Sequence, residues 1–512
     1  MHSLLIGCRL RRSVICFPRR RVSIQWLLAI LLAAIYCIYS LLAHSRFKTS
    51  AYDLVIFDQA VRSYAELSPP ISILKGVHNN FGPDFVILGD HWSPILALLG
   101  PLYWLHDGPE TLLVAQAVLF AAAVPVLYKV ITTVLLQRTD VGPSIRRAVA
   151  GTLCVSYGIS WPVIEAIAFD FHEVAFVPLL TVLLVERFQA GKHSHVILVM
   201  LALLQVKEDM GLLAIGFGTY LIGVRAWRRT GAFLILLGGA FIYVTTQILI
   251  PLFGGRSNYY WAYGALGSNI RESLSYALTH PLYAVSQLWT PSSKVPLIAL
   301  TLGVTLFLAL FSRIAIIALP LALERLLASS FPNWWEPKYH YTAFIVIILF
   351  IAAADGIART AGVIDKRYGQ ASGRNAFIGT PVTQGGVAIG IASAICAANV
   401  ISVPFFSLGT MFSKGFYETS GRAVAANHAL AAVPDSVLVE ASNNLAPALS
   451  GRTQTLLWDR TPRWAPWVVA DVGAKSFPFT SMQEQLSRVD LLRRSGYRQI
   501  VDTGDFIVLH RN

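Results

Sequence analysis

Two carboxylates, Asp53 and Asp58, stand five residues apart in the otherwise apolar stretch Ala51-Tyr52-Asp53-Leu54-Val55-Ile56-Phe57-Asp58-Gln59, directly after the first long apolar run. Ionised groups at a membrane edge are costly and tend to mark functional sites. On a helix, positions five apart lie about 140° apart around the axis, so the pair need not share a face. One carboxylate can then enter a cleft as a general base or acceptor-binding group. The other can cap the helix or meet a cation. The structural alternative makes Asp53 a first-turn helix residue and Asp58 a packing partner.

Four further groups of residues carry candidate chemistry, the last of them two aromatic stretches. In Gly89-Asp90-His91-Trp92-Ser93-Pro94, Asp90 and His91 are expected to bind an anionic head group or relay a proton, while Ser93 and Pro94 start a helix. Phe169-Asp170-Phe171-His172-Glu173 packs three titratable residues into one short connection. Carboxylate and imidazole suit a divalent cation, so Asp170, His172 and Glu173 form a possible metal site, with a solvated loop as the alternative. In Lys207-Glu208-Asp209, Lys207 can neutralise a phosphate, or the triplet can pair internally. The aromatic stretches 258–263 and 334–341, including Tyr339 and His340, read as an interfacial belt or a sugar-stacking surface. Arg256, Arg325, Lys338 and His340 add positive charge near them.

The elements that must position these residues are apolar helices. Of 512 residues, 55% are hydrophobic and 13% charged, about half the charged share usual for a soluble domain. Apolar runs near 25–43, 111–136, 148–165, 174–186, 194–206, 210–224, 231–253, 295–311, 314–329, 341–358 and 386–406 predict about eleven spans of a roughly 30 Å hydrocarbon layer. The run 94–105 is too short to cross and contains Pro101, so it reads as a re-entrant or interfacial piece. The net charge of +13 does not point to nucleic acid, because Lys and Arg lie mainly in connections between apolar runs. Alternating sides from an inside basic arm leaves more Lys and Arg inside, and puts all five candidate stretches on one outer face.

Three regions follow: a basic cytoplasmic arm over 1–24, a multi-spanning domain over 25–406 whose outer loop 44–93 carries Asp53 and Asp58, and an extracytoplasmic α/β domain over 407–512. In the last, a helix near 419–433 precedes short strands at 436–440, 453–458 and 467–471. A capping box at Ser481 to Glu484 opens a helix to Arg494, stopped by Gly496. A hairpin of 499–501 with 506–510 turns at Gly504-Asp505. The cysteines Cys8, Cys16, Cys37, Cys154 and Cys396 avoid this region, so no disulfide framework is expected.

Several of these motifs recur together in known sequences. Tyr52-Asp53 to Asp58-Gln59, His91-Trp92-Ser93-Pro94-Ile95-Leu96, Phe171-His172-Glu173, Lys207-Glu208-Asp209, Leu266-Gly267-Ser268 and Tyr339-His340-Tyr341 resemble, in this order, a bacterial family of predicted polytopic membrane proteins of unknown function. That family is grouped with the GT-C glycosyltransferases, which use polyprenyl-phosphate-linked sugars. The resemblance implies an all-α polytopic fold with a GT-C-like core and a location in the bacterial cell membrane. It implies an acidic catalytic residue in the first outer loop, hence Asp53 or Asp58. A second acidic position falls to Asp170 or Glu173.

The reading expected from the whole sequence is a membrane glycosyltransferase that moves a sugar from a polyprenyl-phosphate donor to an acceptor outside. Asp58 or Asp53 would be the general base, and Lys207, His91 and His340 would stabilise the leaving phosphate. Asp90, Asp170, His172, Glu173, Glu208, Asp209 and Tyr339 would line the substrate site. No cofactor is required, the divalent cation being a lesser option, and membrane lipid is the expected environment. A transporter or flippase of a lipid-linked or anionic substrate and a non-catalytic envelope scaffold are the alternatives. The first would want broken helices in matched halves, and no inverted repeat is visible.

Overall fold

The computed structural model describes residues 23–256, 260–369 and 383–511. The basic arm therefore lies outside the described residues, except for its last two positions. The protein is mostly helical, with one small sheet near its C-terminus. Among the described residues, five helical stretches are long and apolar enough to cross a membrane: Ile24–Ser45, Glu110–Arg138, Arg225–Leu252, His340–Arg367 and Gln384–Phe405.

Their burial follows from their patterns. In Ile24–Ser45, Ala29, Leu32, Tyr36, Ser40 and Ala43 recur at helical spacing and are buried, while Ile24, Trp26, Leu27, Ile30 and Leu31 are exposed. Tyr36 fixes the buried face by donating to the Gly158 carbonyl at 2.5 Å. Helix Ala343–Ile364 is apolar over most of its surface, and its stretch is 94% buried against 22% for Gln384–Phe405. It is the central post of the bundle.

The remaining expected spans are shorter or interrupted. The run at 148–165 divides into Pro143–Ile159 and Trp161–Ala168, because Pro162 cannot donate a helical hydrogen bond. The run at 295–311 ends as a helix at Gly303, where Leu306 and Phe307 turn left-handed with φ of 48° and 62°. The piece near 94–105 is a tight turn, Pro94–Leu99, followed by Gly100–Tyr103, with Leu98, Trp104 and Leu105 exposed.

Helices Met210–Ile222 and Arg228–Val244 approach unusually closely. A Cβ on Gly238 would stand 2.4 Å from the Gly211 carbonyl oxygen, and one on Gly218 2.6 Å from that of Gly231. Small residues at such contacts let backbones meet where side chains would hold them apart.

Near the C-terminus, β1 (Leu438–Ala441), β2 (Gln454–Leu457), β3 (Trp467–Asp471), β4 (Arg498–Asp502) and β5 (Phe506–His510) form one sheet in the order β2-β1-β3-β5-β4. The first three strands are parallel, and β5 runs antiparallel to β3 and β4. Alternation sorts the two faces. Val468, Ala470, Ile507 and Leu509 pack under helix Met482–Arg494 through Val489 and Leu492. Val439, Ala441, Val469, Phe506 and Val508 join the main core instead. Ser481 caps that helix by accepting from the Glu484 amide at 3.2 Å, and Gly504, at φ 83°, makes the final turn.

Candidate functional site

The carboxylate pair is separated by local backbone geometry. The helix after the first span begins only at Ile56 and runs to Ala65. Asp53 precedes it, in the irregular turn Ala51–Val55, with φ 114° and ψ −70°. A non-glycine residue there is strained by roughly 1–3 kcal/mol and persists only where its surroundings hold it. Three amides supply that restraint. The Ser50 amide donates to Asp170 at 3.1 Å, that of Ala51 to the Asn443 carbonyl at 2.7 Å, and that of Tyr52 to Asn443 Oδ1 at 3.1 Å. The C-terminal region thus shapes the turn that presents Asp53.

Asp53 Oδ2 lies 3.5 Å from His172 Nε2, and the His172 ring stacks on His340 with centroids 3.6 Å apart. Both imidazoles are buried, and their Nδ1 atoms lack a hydrogen-bond partner among the described residues. Beside them Lys207 Nζ meets Glu173 Oε1 at 3.1 Å. Burial alone would raise the Glu173 pKa, but the Lys207 ammonium holds it below the usual carboxylate value. His91 Nδ1 meets Glu208 Oε1 at 2.6 Å, and Glu208 Oε2 accepts from the Trp92 amide at 3.0 Å. Burial would lower the His91 pKa, whereas Glu208 and Asp90 together raise it.

A second layer supports the first. Asp90 joins Lys75 Nζ at 2.9 Å and accepts from the Tyr260 hydroxyl at 2.7 Å, and the Tyr260 ring stacks on His91 at 4.6 Å. Lys75 also reaches the Tyr52 hydroxyl at 3.2 Å. Lys75 was not among the expected site residues, and Tyr260 was expected only as part of the aromatic stretch 258–263. The available signal was Ser72, which caps the short helix Ile73–His78 that carries Lys75.

Not every candidate joins this cluster. Asp58 is fully buried, with Arg62 Nη1 at 3.0 Å and the Tyr103 hydroxyl at 2.8 Å, and shares no partner with Asp53. Asp170 is also buried and receives the Ser50 amide and hydroxyl. Burial, with Asp53 nearby, pushes its pKa up to about 7 against the opposing Ser50 hydrogen bonds. Asp209 borders the cluster, its pKa pushed up to about 6 by burial and by Glu208. Tyr339 packs edge-on against Phe169 at 4.7 Å.

Of the four basic residues named for this face, only His340 reaches the cluster. Arg325 holds backbone through the Trp334 and Tyr341 carbonyls, Lys338 pairs with Glu336 at 2.8 Å, and Arg256 lies over Phe81. The trio considered for a divalent cation diverges. Asp170 turns to Ser50, His172 to Asp53 and Glu173 to Lys207. Among the described residues, no group of three or more His, Cys, Asp or Glu is placed to hold a metal ion.

Residues from 53, 90–91, 172–173, 207–208, 260 and 340 therefore meet at one end of the bundle. Asp53, with 28% of its side chain exposed, is far more accessible than His172 at 5%. The arrangement offers an accessible carboxylate, two stacked imidazoles with free ring nitrogens, and a buried ammonium. That set can accept a proton from a hydroxyl and stabilise an anion.

The family described as "Predicted membrane protein (DUF2079)" matches residues 43–508. No curated protein matches the sequence. Among solved structures, the crystal structure of ArnT from Cupriavidus metallidurans in the apo state is similar with a TM-score of 0.48 at 11% identity, over 94% of this chain and 97% of that one.

Proposed function

The chain belongs to the DUF2079 family of predicted membrane proteins, and we propose that it transfers a sugar from a polyprenyl-phosphate donor to an acceptor at the outer face of the membrane. The observation that carries this reading is the convergence of Asp53, His172, His340 and Lys207 in one cluster. In this reading the chain crosses the membrane about eleven times, with its arm inside and its C-terminal region outside. The isoprenoid tail stays in the bilayer beside the bundle.

Asp53 takes the proton of the acceptor hydroxyl, because it is strained, accessible and unencumbered by a strong ion pair. The free nitrogens of His172 and His340 and the Lys207 ammonium receive the charge that develops on the leaving phosphate. Asp58 has a structural role, since its carboxylate is spent on Arg62 and Tyr103. The ion pairs Lys207–Glu173 and His91–Glu208 keep the pocket polar.

Membranes containing the full chain, supplied with radiolabelled polyprenyl-phosphate sugar, test the proposal. Asp53→Asn is expected to abolish label transfer while leaving the folded yield intact. Asp58→Asn is expected to leave transfer in place and to cost only about 1 kcal/mol of stability, since Arg62 keeps Asp107 at 2.7 Å. Undiminished transfer by Asp53→Asn would refute the assignment of the base. Movement of donor across proteoliposomes without any transfer would favour a transporter.

A further inference from the structure

At the end of the bundle opposite the cluster, a hollow of about 580 Å³ is lined by His193, Arg225, Ala226, Arg228, Arg229 and Thr230. Helix Met210–Ile222 starts beside Lys207 and ends just before this hollow, a separation of about 20 Å at 1.5 Å per residue. The hollow is built rather than merely charged. Trp227 is buried beneath it, the His193 ring stacks on Trp227 at 3.6 Å, and His193 Nδ1 meets Thr230 Oγ1 at 2.9 Å. No carboxylate lines it. Among the described residues, none of the three arginines is held in an ion pair, and Arg228 Nε donates only to the Ile222 carbonyl at 3.3 Å.

Below the hollow the two flanking helices present apolar side chains outward. Leu198 and Leu201 are exposed on His193–Leu204, and Phe233 and Leu236 on Arg228–Val244. Guanidinium forks match phosphate oxygens in a way that a scattered lysine surface does not. A cationic cradle directly above exposed aliphatic surface fits an amphiphile with a phosphate head and hydrocarbon tails.

We infer that the hollow formed by His193, Arg225, Arg228, Arg229 and Thr230 is a binding site for the phosphate head group of an anionic phospholipid. Arg225 and Arg229 supply the forks, and His193 and Thr230 complete the cradle. The lipid's acyl chains run along the exposed apolar side chains Leu198, Leu201, Phe233 and Leu236. Occupancy ties helix His193–Leu204 to Arg228–Val244 at the end remote from Asp53. The inference rests on membrane placement and not on the transfer reading.

The test uses the full chain in neutral detergent, titrated with phosphatidylglycerol, and reads retained lipid by native mass spectrometry and the shift in Tm. Wild type is expected to retain phosphatidylglycerol over phosphatidylcholine. Arg225→Gln/Arg229→Gln should bind it about tenfold or more weakly. The charge-matched control Arg146→Gln/Arg147→Gln should stay within about twofold. The milder Arg225→Lys/Arg229→Lys keeps the charge but loses the forks, and intermediate binding by it supports the site if the glutamine variant does not fold. Equal loss in pocket and control variants would show diffuse electrostatics and overturn the site. So would equal retention of both lipids. Displacement of the lipid by inorganic phosphate or glycerol phosphate at matched concentration would assign the hollow to a soluble phosphate instead.

Discussion

At the residue scale, the two carboxylates of the first motif have opposite fates because the helix between them starts late. Asp53 lies in a strained turn before Ile56, and Asp58 lies inside the helix facing Arg62 and Tyr103. Asp170 gives a pH-dependent signature. Its pKa rises from 3.8 to about 7 on folding because burial disfavours the charged form. A carboxyl with a raised folded pKa binds its proton more tightly folded than unfolded. Its contribution is therefore fully present below the unfolded value and lost as pH climbs through the folded one. Wild type should lose stability relative to Asp170→Asn between about pH 4 and pH 7, by at most about 4 kcal/mol. Detergent-unfolding midpoints of the two proteins across that range would measure it. Parallel pH curves would contradict the assignment.

At the element scale, the approach of Met210–Ile222 to Arg228–Val244 sets both ends of the molecule. One end of the pair carries Lys207 and Glu208, and the other carries the arginine hollow. The contact depends on Gly211, Gly218, Gly231 and Gly238, whose missing side chains let carbonyls approach the facing backbone. Gly238→Val should force the helices apart and cost about 1–3 kcal/mol. Gly239→Ala, where a Cβ meets nothing within 4 Å, should be nearly neutral. Thermal unfolding in detergent compares the two. A Gly238→Val protein as stable as wild type would show that the pair is not close-packed.

At the scale of the whole molecule, the C-terminal sheet region acts on the site from outside the helical bundle. Asn443 accepts from the amides of Ala51 and Tyr52, and Gln59 donates to the Thr455 carbonyl at 2.8 Å. His78 meets Asp459 at 2.8 Å, and Phe477 packs on Tyr52. Removing the Asn443 side chain should loosen the Asp53 turn without unfolding the sheet. Misplacement of a catalytic group by about 1 Å costs on the order of a hundredfold. Asn443→Ala should therefore lower kcat of sugar transfer by about tenfold to a hundredfold, and Asn443→Asp, which keeps an acceptor, should restore most of it. A scaffold role predicts instead that Asn443→Ala changes partner binding with no change in transfer.

Much of this architecture was legible in local patterns. Apolar length and periodicity placed the helices, since a chain must bury or lipidate such runs. The capping box at Ser481, the strand at 467–471 and the turn at Gly504 were readable because caps and turns depend on neighbouring residues alone. The breaks at Ser160 and after Gly303 were missed, because an apolar run reads the same whether its helix is continuous or interrupted.

The amino-acid sequence by itself determined that the chain is a bundle of apolar helices with polar motifs in the connections and a mixed α/β end. Only the tertiary structure decided which motif residues meet. That choice put Asp53, and not Asp58, beside His172, paired Lys207 with Glu173, divided the three residues considered as cation ligands among three partners, and brought in Lys75 and Asn443. Each depends on contacts between segments far apart in the chain, and those contacts are set by packing and by the pairing of buried charges, which leave no local trace in residue spacing.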